Sequence, residues 1–458
     1  MTKQPLARQS LYFVLITVLI DSIGFGLIIP VMPELLEELL GINNAGAAVW
    51  GGYLGFVYAA MHFLFGPLIG SLSDRFGRRP ILLISMAALF VDYLILIFAS
   101  TIAMLFIGRI LTGICGATFA TANAYIADVT TEKDRGKAFG LVGAAFGIGF
   151  ILGPAIGGFL GVLDARAPFY AAAGISFLNM LYGYFVLPES LKKENRRSFS
   201  FARANPLGAF RQLRNFPRIK WLFVVCLILF FAHVVYPSTW QFHGKARYGW
   251  EASDIGLSLM AFGICSALVQ GGLIGKILKR FGEKNTAFIG ITCSVIAFAG
   301  FTTASQGWML YCWIPLSALG AVATPAIKSI MSSRVPADSQ GELHGTLASL
   351  KGIADMISPI MMTQVFAYFA NESLEAVDFG QGLAGALTWT MFVEGVPASE
   401  LDPGSHFYGS AFMLAGLLLC VAILPLIWGT WHLSDSEKGG GPKVEGGGTE
   451  ADDSSANE

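Results

Sequence analysis

The sequence predicts an all-α membrane protein whose chain crosses the bilayer about twelve times, in two six-helix halves. Three observations carry that expectation. Of 458 residues, 54% are hydrophobic and only 13% charged, and the mean hydropathy is +0.61. A soluble domain carries about 25% charged residues. The apolar residues fall in runs long enough for the ~20 residues that span a bilayer. The chain also repeats itself at a constant offset.

The first six runs lie near residues 10–33, 47–70, 80–100, 102–127, 138–163 and 167–188. The second six lie near 219–242, 253–277, 285–304, 307–332, 343–370 and 406–432. Residues 1–190 thus form one half and 219–433 the other. Between them, 191–218 reads as a cytoplasmic linker rich in lysine and arginine. Residues 434–458, rich in Gly, Ser, Asp and Glu, are expected to be a disordered tail. The first run contains Asp21 and leads to Pro30 and Pro33 without a small-residue cleavage pattern, so it is read as a spanning helix and not a signal peptide.

Charge sets the orientation. With both termini in the cytoplasm, the outer loops hold only Arg166, Lys245 and Arg247 of the chain's 30 lysines and arginines. The segment from Asn371 to Ser405 is nearly free of basic residues, and its apolar middle, Leu383 to Val393, is expected on the outer surface without spanning.

The repeat rests on three matches. Gly70–Gly77 aligns with Gly275–Gly282 through a shared Arg-Phe-Gly ending, Gly136 and Gly140 with Gly341 and Gly345, and Pro154 with Pro359. Every pair is separated by 205 positions. Six helices repeated in the same direction is the parallel-repeat plan of secondary transporters, with a site between the halves near the membrane midplane.

Several function classes are excluded. A net charge of −1 offers nothing to nucleic acid. The six cysteines sit inside apolar runs without metal-ligand spacing, so no metal site or disulfide is implied. No phosphate-binding loop and no nucleophile–base set is present, so neither an enzyme nor a cofactor is expected.

Charges inside apolar runs are the candidate functional groups, because an intramembrane ionisable residue is costly and faces a cavity or a partner. Asp21, in the first run, can take up and release a proton. Arg109, in the fourth, stays protonated and can set the behaviour of a nearby acid. His62 and Asp92 lie in the second and third runs, where a structural and a functional reading are equally open. Lys351 and Asp355, four apart in the eleventh, share a helix face and read either as a local bridge or as a pair lining the path. Gln270 is a candidate hydrogen-bonding group of the cavity. Tyr236 to Gln241 read as an interfacial anchor near the outer surface.

Motifs add a resemblance. The turn Gly70-Ser-Leu-Ser-Asp74-Arg-Phe-Gly77-Arg78-Arg79 fits the pattern G-x-L-x-D-R-x-G-R-R in full. Asp74 among arginines forms a charged latch, and the flanking glycines let a helix approach. Arg109 sits in Gly108-Arg109-Ile-Leu-Thr-Gly113, and the fifth run carries Gly149-Phe-Ile-Leu-Gly153-Pro154-Ala-Ile-Gly157-Gly158. Asp21 begins Asp21-Ser-Ile-Gly24-Phe-Gly26, followed by Pro30 and Pro33. The chain therefore resembles the major facilitator superfamily, in its drug–proton antiporter branch, and within that the tetracycline exporters. That resemblance implies a proton-coupled antiporter of the bacterial cytoplasmic membrane, monomeric, exporting a small amphiphilic compound, with tetracycline one candidate. A proton-linked transporter of an endogenous metabolite is the second reading. The implied gating latch is Gly70, Asp74, Gly77, Arg78 and Asp128; the antiporter-type helix is marked by Gly149, Gly153, Pro154, Gly157 and Gly158. Tetracycline exporters imply an acid in the ninth helix and a histidine in the eighth, where this chain has Ser294 and Ser266.

Overall fold

A computed structural model describes residues 4–116, 118–196, 216–336, 339–370 and 407–438. Among them there is no strand. The first half comprises α1 (Gln4–Ile28), α2 (Met32–Leu40), α3 (Asn44–Phe76), α4 (Arg78–Phe98), α5 (Ile102–Cys115), α6 (Thr118–Val129), α7 (Glu132–Gly161) and α8 (Ala167–Val186). The second comprises α9 (Lys220–His233), α10 (Val235–Tyr248), α11 (Ala252–Leu268), α12 (Ile274–Thr303), α13 (Gly307–Gly320), α14 (Ala323–Ser332), α15 (Gln340–Ala370) and α16 (Ser410–Lys438). The linker core, the segment after Ala370 and residues 439–458 of the tail fall outside the described residues, and so do the expectations placed on them; residues 434–438, expected in the disordered tail, continue α16.

Eleven continuous helical stretches are long and apolar enough to cross a membrane. One of them, Ala252–Thr303, has 52 residues. At about 1.5 Å per residue that far exceeds a hydrocarbon core of about 30 Å. Its backbone breaks at Gly282 (φ 73°, ψ 168°), so it crosses twice and the total among the described residues is twelve. An even number of crossings returns the chain to its starting side. That side is called here the terminal face, and the opposite one the far face.

The structure extends the repeat beyond the three sequence matches. Gly77, at φ 111°, separates α3 from α4 as Gly282 separates the eighth and ninth spans. Span four breaks between Cys115 and Thr118, and span ten breaks between Gly320 and Ala323, again 205 positions on. Span seven breaks at Val234, matching the break between α1 and α2. None of these interruptions within apolar runs was legible in hydropathy. The second span of each half is also altered near one depth. Pro67 lies inside α3, removing a backbone donor, and a π-helical turn over Val269–Leu273 follows α11.

Local chemistry starts these helices on the far face. Asn43 Oδ1 accepts from Gly46 N–H at 2.9 Å to cap α3. Glu251 and Asp254 form a reciprocal capping box on α11. Gly41, in the left-handed region, closes the short α2.

The halves meet chiefly through two helix pairs, α3 with α15 and α7 with α11, and α10 adds contacts to α2 and α3. Near the far face their glycines leave no room for a side chain. A Cβ on Gly52 would lie 2.1 Å from Thr363 Oγ1, and one on Gly158 2.4 Å from the Ala252 carbonyl. A Cβ on Gly256 would lie 2.3 Å from the Pro154 carbonyl. Toward the terminal face the same helix faces separate. Gly70 repeats the phase of Gly52, and Gly140 that of Gly158, yet nothing lies within 4 Å of either position. Gly341 and Gly345 of α15 are equally clear. The molecule is therefore sealed on the far face and opens between its halves on the terminal face.

Candidate functional site

The cleft walls differ in chemistry. The first half supplies Asp21 and the Asp92–Arg109 pair. Asp21 projects from α1 toward the hydroxyl of Thr118, the first residue after the break in span four. Asp92 of α4, fully buried, pairs with Arg109 of α5. A Cβ on Gly108 would lie 2.2 Å from Asp92 Oδ1, so only glycine leaves room for the carboxylate there. Tyr93 is buried beside the pair, its hydroxyl against Gly24 of α1. Asp92 Oδ1, Arg109 Nε and the Tyr93 hydroxyl are buried without hydrogen-bond partners, which leaves the pair polar capacity to spare.

His62 and Tyr58 stack on α3, centroids 6.0 Å apart and 6° from parallel. Gly116, at the break, brings its backbone next to His62 Nδ1. The break thus stands between Asp21 on one side and His62 on the other. Gly352 of α15 lies against Phe63, the residue after His62, so the second half's Lys351 and Asp355 stand at this turn of α3. Lys351 donates to Asp355 at 2.5 Å. Asp92 thus pairs with Arg109 in one place, His62 meets the Lys351–Asp355 helix at the contact of α3 with α15, and Asp21 faces Thr118 at the break. Gln270 is exposed, in the π-helical turn toward the terminal face, away from this group.

The second half also holds a buried aromatic cluster. Tyr236 packs among Phe262, Phe298, Phe301 and Phe412 and bonds Ser317. Trp240, expected as an interfacial anchor, is 2% exposed and donates to Ser258 at 2.9 Å. It is a core residue of α10, because the break at Val234 turns this segment inward among aromatic neighbours. The positions 205 after Asp92 and Arg109 are Ala297 and Ile314, both buried and apolar, so the charge pair has no twin in the second half. Ser294 is buried against Gly320, between α12 and α13.

The glycine-rich α7 works through two faces. Gly149, Gly153 and Gly157 lie against α1, where added Cβ atoms would meet backbone of Leu19, Ile23 and Leu27 within 2.6 Å. Pro154 and Gly158 lie against α11 of the other half. One helix therefore couples the helix bearing Asp21 to the seam between the halves.

At the terminal face the structure brings together Asp74, Arg78 and Asp128. Arg78 donates to Asp74 at 2.5 Å and to Asp128 at 3.1 Å. Gly77 sits against Glu189, whose carboxylate accepts from the backbone N–H of Arg78 at 2.8 Å and caps α4. Nothing lies within 4 Å of a Cβ added at Gly70. Thr118, Tyr58, Tyr93 and Glu189 were not singled out in the sequence. Glu189 acts more than a hundred positions from its partners, and no local signal points to it. Among the described residues no group of side chains has metal-binding composition.

Comparison with known proteins bears on the chain as a whole. Residues 14–359 match the sequence model of the Major Facilitator Superfamily. The class C tetracycline resistance protein of Escherichia coli is 39% identical over 365 residues, covering 80% of this chain and 91% of that protein. The class G tetracycline resistance protein of Vibrio anguillarum is 37% identical, covering 80% and 92%. Among solved structures, a bacterial homologue of the human lysosomal transporter Spinster, inward-facing and unoccupied, superposes with a TM-score of 0.71 at 15% identity, covering 94% of this chain and 98% of that one.

Proposed function

This chain belongs to the Major Facilitator Superfamily, and from that premise we propose that it is a proton-coupled antiporter exporting an amphiphilic, drug-like compound, tetracycline among the candidates. Its setting is the cytoplasmic membrane of a bacterium, with the terminal face inward, and it works as a monomer. The observation that carries the reading is Asp21. It is a lone carboxylate on α1, facing the break in span four and set in a cleft open to one side of the membrane. A carboxylate so placed can exchange its proton with one side at a time as the halves rock. The buried Asp92–Arg109 pair gives this wall a fixed polar framework, while the stacked Tyr58 and His62 rings of α3 offer π surface to a ring system. The contact of α7 with both α1 and α11 gives a route by which the state of Asp21 acts on the seam. The latch residues Asp74, Arg78 and Asp128 lie where the terminal face must close in the opposite state.

The test is proton flux in vesicles holding the reconstituted protein, under an imposed pH gradient. Tetracycline is added first and then a panel of amphiphilic compounds. Substrate-triggered proton release that disappears in Asp21→Asn supports the reading. Release that persists unchanged in that variant removes Asp21 from the mechanism. A folded protein that releases no protons with any compound overturns drug–proton exchange.

A further inference from the structure

Two ionised pairs lie within the membrane-spanning part of the cleft, and they are built differently. Asp92 and Arg109 are buried together. Lys351 and Asp355 are 57% and 38% exposed at the side chain. Yet Lys351 lies about 16 Å along α15 from its first residue, deep in a spanning helix. Their direction follows from helix geometry. Gly352, Pro359 and Thr363 form the face that meets α3, against Phe63, Gly55 and Gly52. Ser358 marks a second contact, donating to the Phe231 carbonyl of α9 at 2.7 Å. At 100° per residue, Asp355 falls on the arc between those two contacts. That arc looks into the cleft between the halves and away from lipid. Gly352, next to Lys351, packs on Phe63, next to His62, so the pair lies beside that ring across the seam.

We infer that Asp355 is the subsite for the cationic head of an amphiphilic substrate, and that Lys351 fills this subsite in the empty carrier. The inference deepens the export reading and rests on it for the cleft being the substrate path. An exposed pair at this spacing is weak, so an arriving cation displaces the ammonium at little cost. Lysine suits the part because its charge rides on a flexible four-carbon stem that can swing into the open cleft. The stacked Tyr58 and His62 rings beside the pair give the rest of a lipophilic cation a flat surface on which to lie. A bridge that only supported α15 would have no need to face the cleft.

The two roles differ in sign. If Lys351 competes with the ligand, removing its charge tightens cation binding; if the pair is only a brace, removal weakens binding or leaves it alone. Equilibrium binding of radiolabelled tetraphenylphosphonium to the full chain in lipid nanodiscs reads this directly. Lys351→Met is expected to bind about fivefold tighter and Asp355→Asn about fivefold weaker, the scale of one exposed pair. The double variant should match Asp355→Asn, and Lys351→Arg should match the unaltered protein. Tetraphenylborate, of the same shape and opposite charge, should shift the opposite way in each single variant. Monodisperse elution of every variant separates these effects from misfolding. Weaker or unchanged tetraphenylphosphonium binding in Lys351→Met overturns the inference, as does failure of both that variant and the unaltered chain to bind it. The sign pattern without proton flux in vesicles removes only the proton-coupling reading; flux without the pattern removes only the subsite.

Discussion

Lys245 donates to Glu37 at 2.6 Å and so ties α10 of the second half to α2 of the first on the far face. Asn44 adds a bond from its side-chain amide to the Phe242 carbonyl at 2.8 Å, and Gln364 one to the Tyr53 hydroxyl at 3.2 Å. All three cross the seam, and all must part for the far face to open. Lys245→Met should therefore shift the balance toward the far-face-open form. The ion pair is about a quarter to a third exposed, so its worth is at most about 1 kcal/mol, or roughly a fivefold change in population. Spin-label distances between α2 and α10 measure the shift. The exchanged pair Glu37→Lys with Lys245→Glu should restore the original distribution; no restoration would assign the effect to packing.

Gly158 makes a sharper version of the same prediction. A Cβ there would lie 2.4 Å from the Ala252 carbonyl, a backbone atom that cannot swing aside. Gly158→Ala should wedge the far-face seal at a cost of about 1–3 kcal/mol to the sealed state. Binding of a substrate offered from the terminal side should weaken accordingly. Gly174→Ala, where nothing lies within 4 Å, should behave as the unaltered protein. Equal effects in the two variants would point to helix propensity and away from the seam.

Much of this architecture was legible because it is written locally. Twelve apolar runs, the Arg-Phe-Gly turns ending at Gly77 and Gly282 and the glycine spacing of α7 need only a few neighbouring residues to be read. The breaks near Gly116, Val234 and Ala321 were hidden, because the residues around them are as apolar as the helices they interrupt. Asp92 and Arg109 were each recognisable as intramembrane charges, but their partnership depends on how α4 packs against α5. Gly108, which admits the carboxylate, reads in sequence as one glycine among 54. Trp240 was misread because its neighbours Tyr236 and Gln241 resemble an interfacial belt, whereas the break at Val234 turns the segment into the core.

The Asp92–Arg109 pair predicts an unusual order of stabilities. Removing either charge leaves the other buried and unpaired, which costs about 3–5 kcal/mol. Asp92→Asn and Arg109→Gln should each lower the thermal midpoint in detergent. The double variant should be more stable than either single one, because two neutral amides fit where one lone charge does not. A double variant as unstable as the sum of its parts would mean that the two residues act separately.

The two glycine turns separate backbone strain from contact. Gly77 has φ 111° and ψ 161°, and Gly282 has φ 73° and ψ 168°, both regions that side chains avoid. Alanine should therefore cost each turn about 1–3 kcal/mol. At Gly282 nothing lies within 4 Å of the added carbon, so strain is the whole penalty. At Gly77 the same carbon would lie 2.2 Å from Glu189 Oε2. That carboxylate accepts from the backbone N–H groups of both Arg78 and Arg79, so displacing it uncaps α4 and loosens Arg78 from Asp74 and Asp128. Gly77→Ala should lose most transport in vesicles, while Gly282→Ala retains the larger part. Adding Glu189→Ala to Gly77→Ala should cost little more, since the cap is already lost. If Gly282→Ala proves as damaging, the turns matter for their backbone angles alone and the Glu189 contact plays no part in gating.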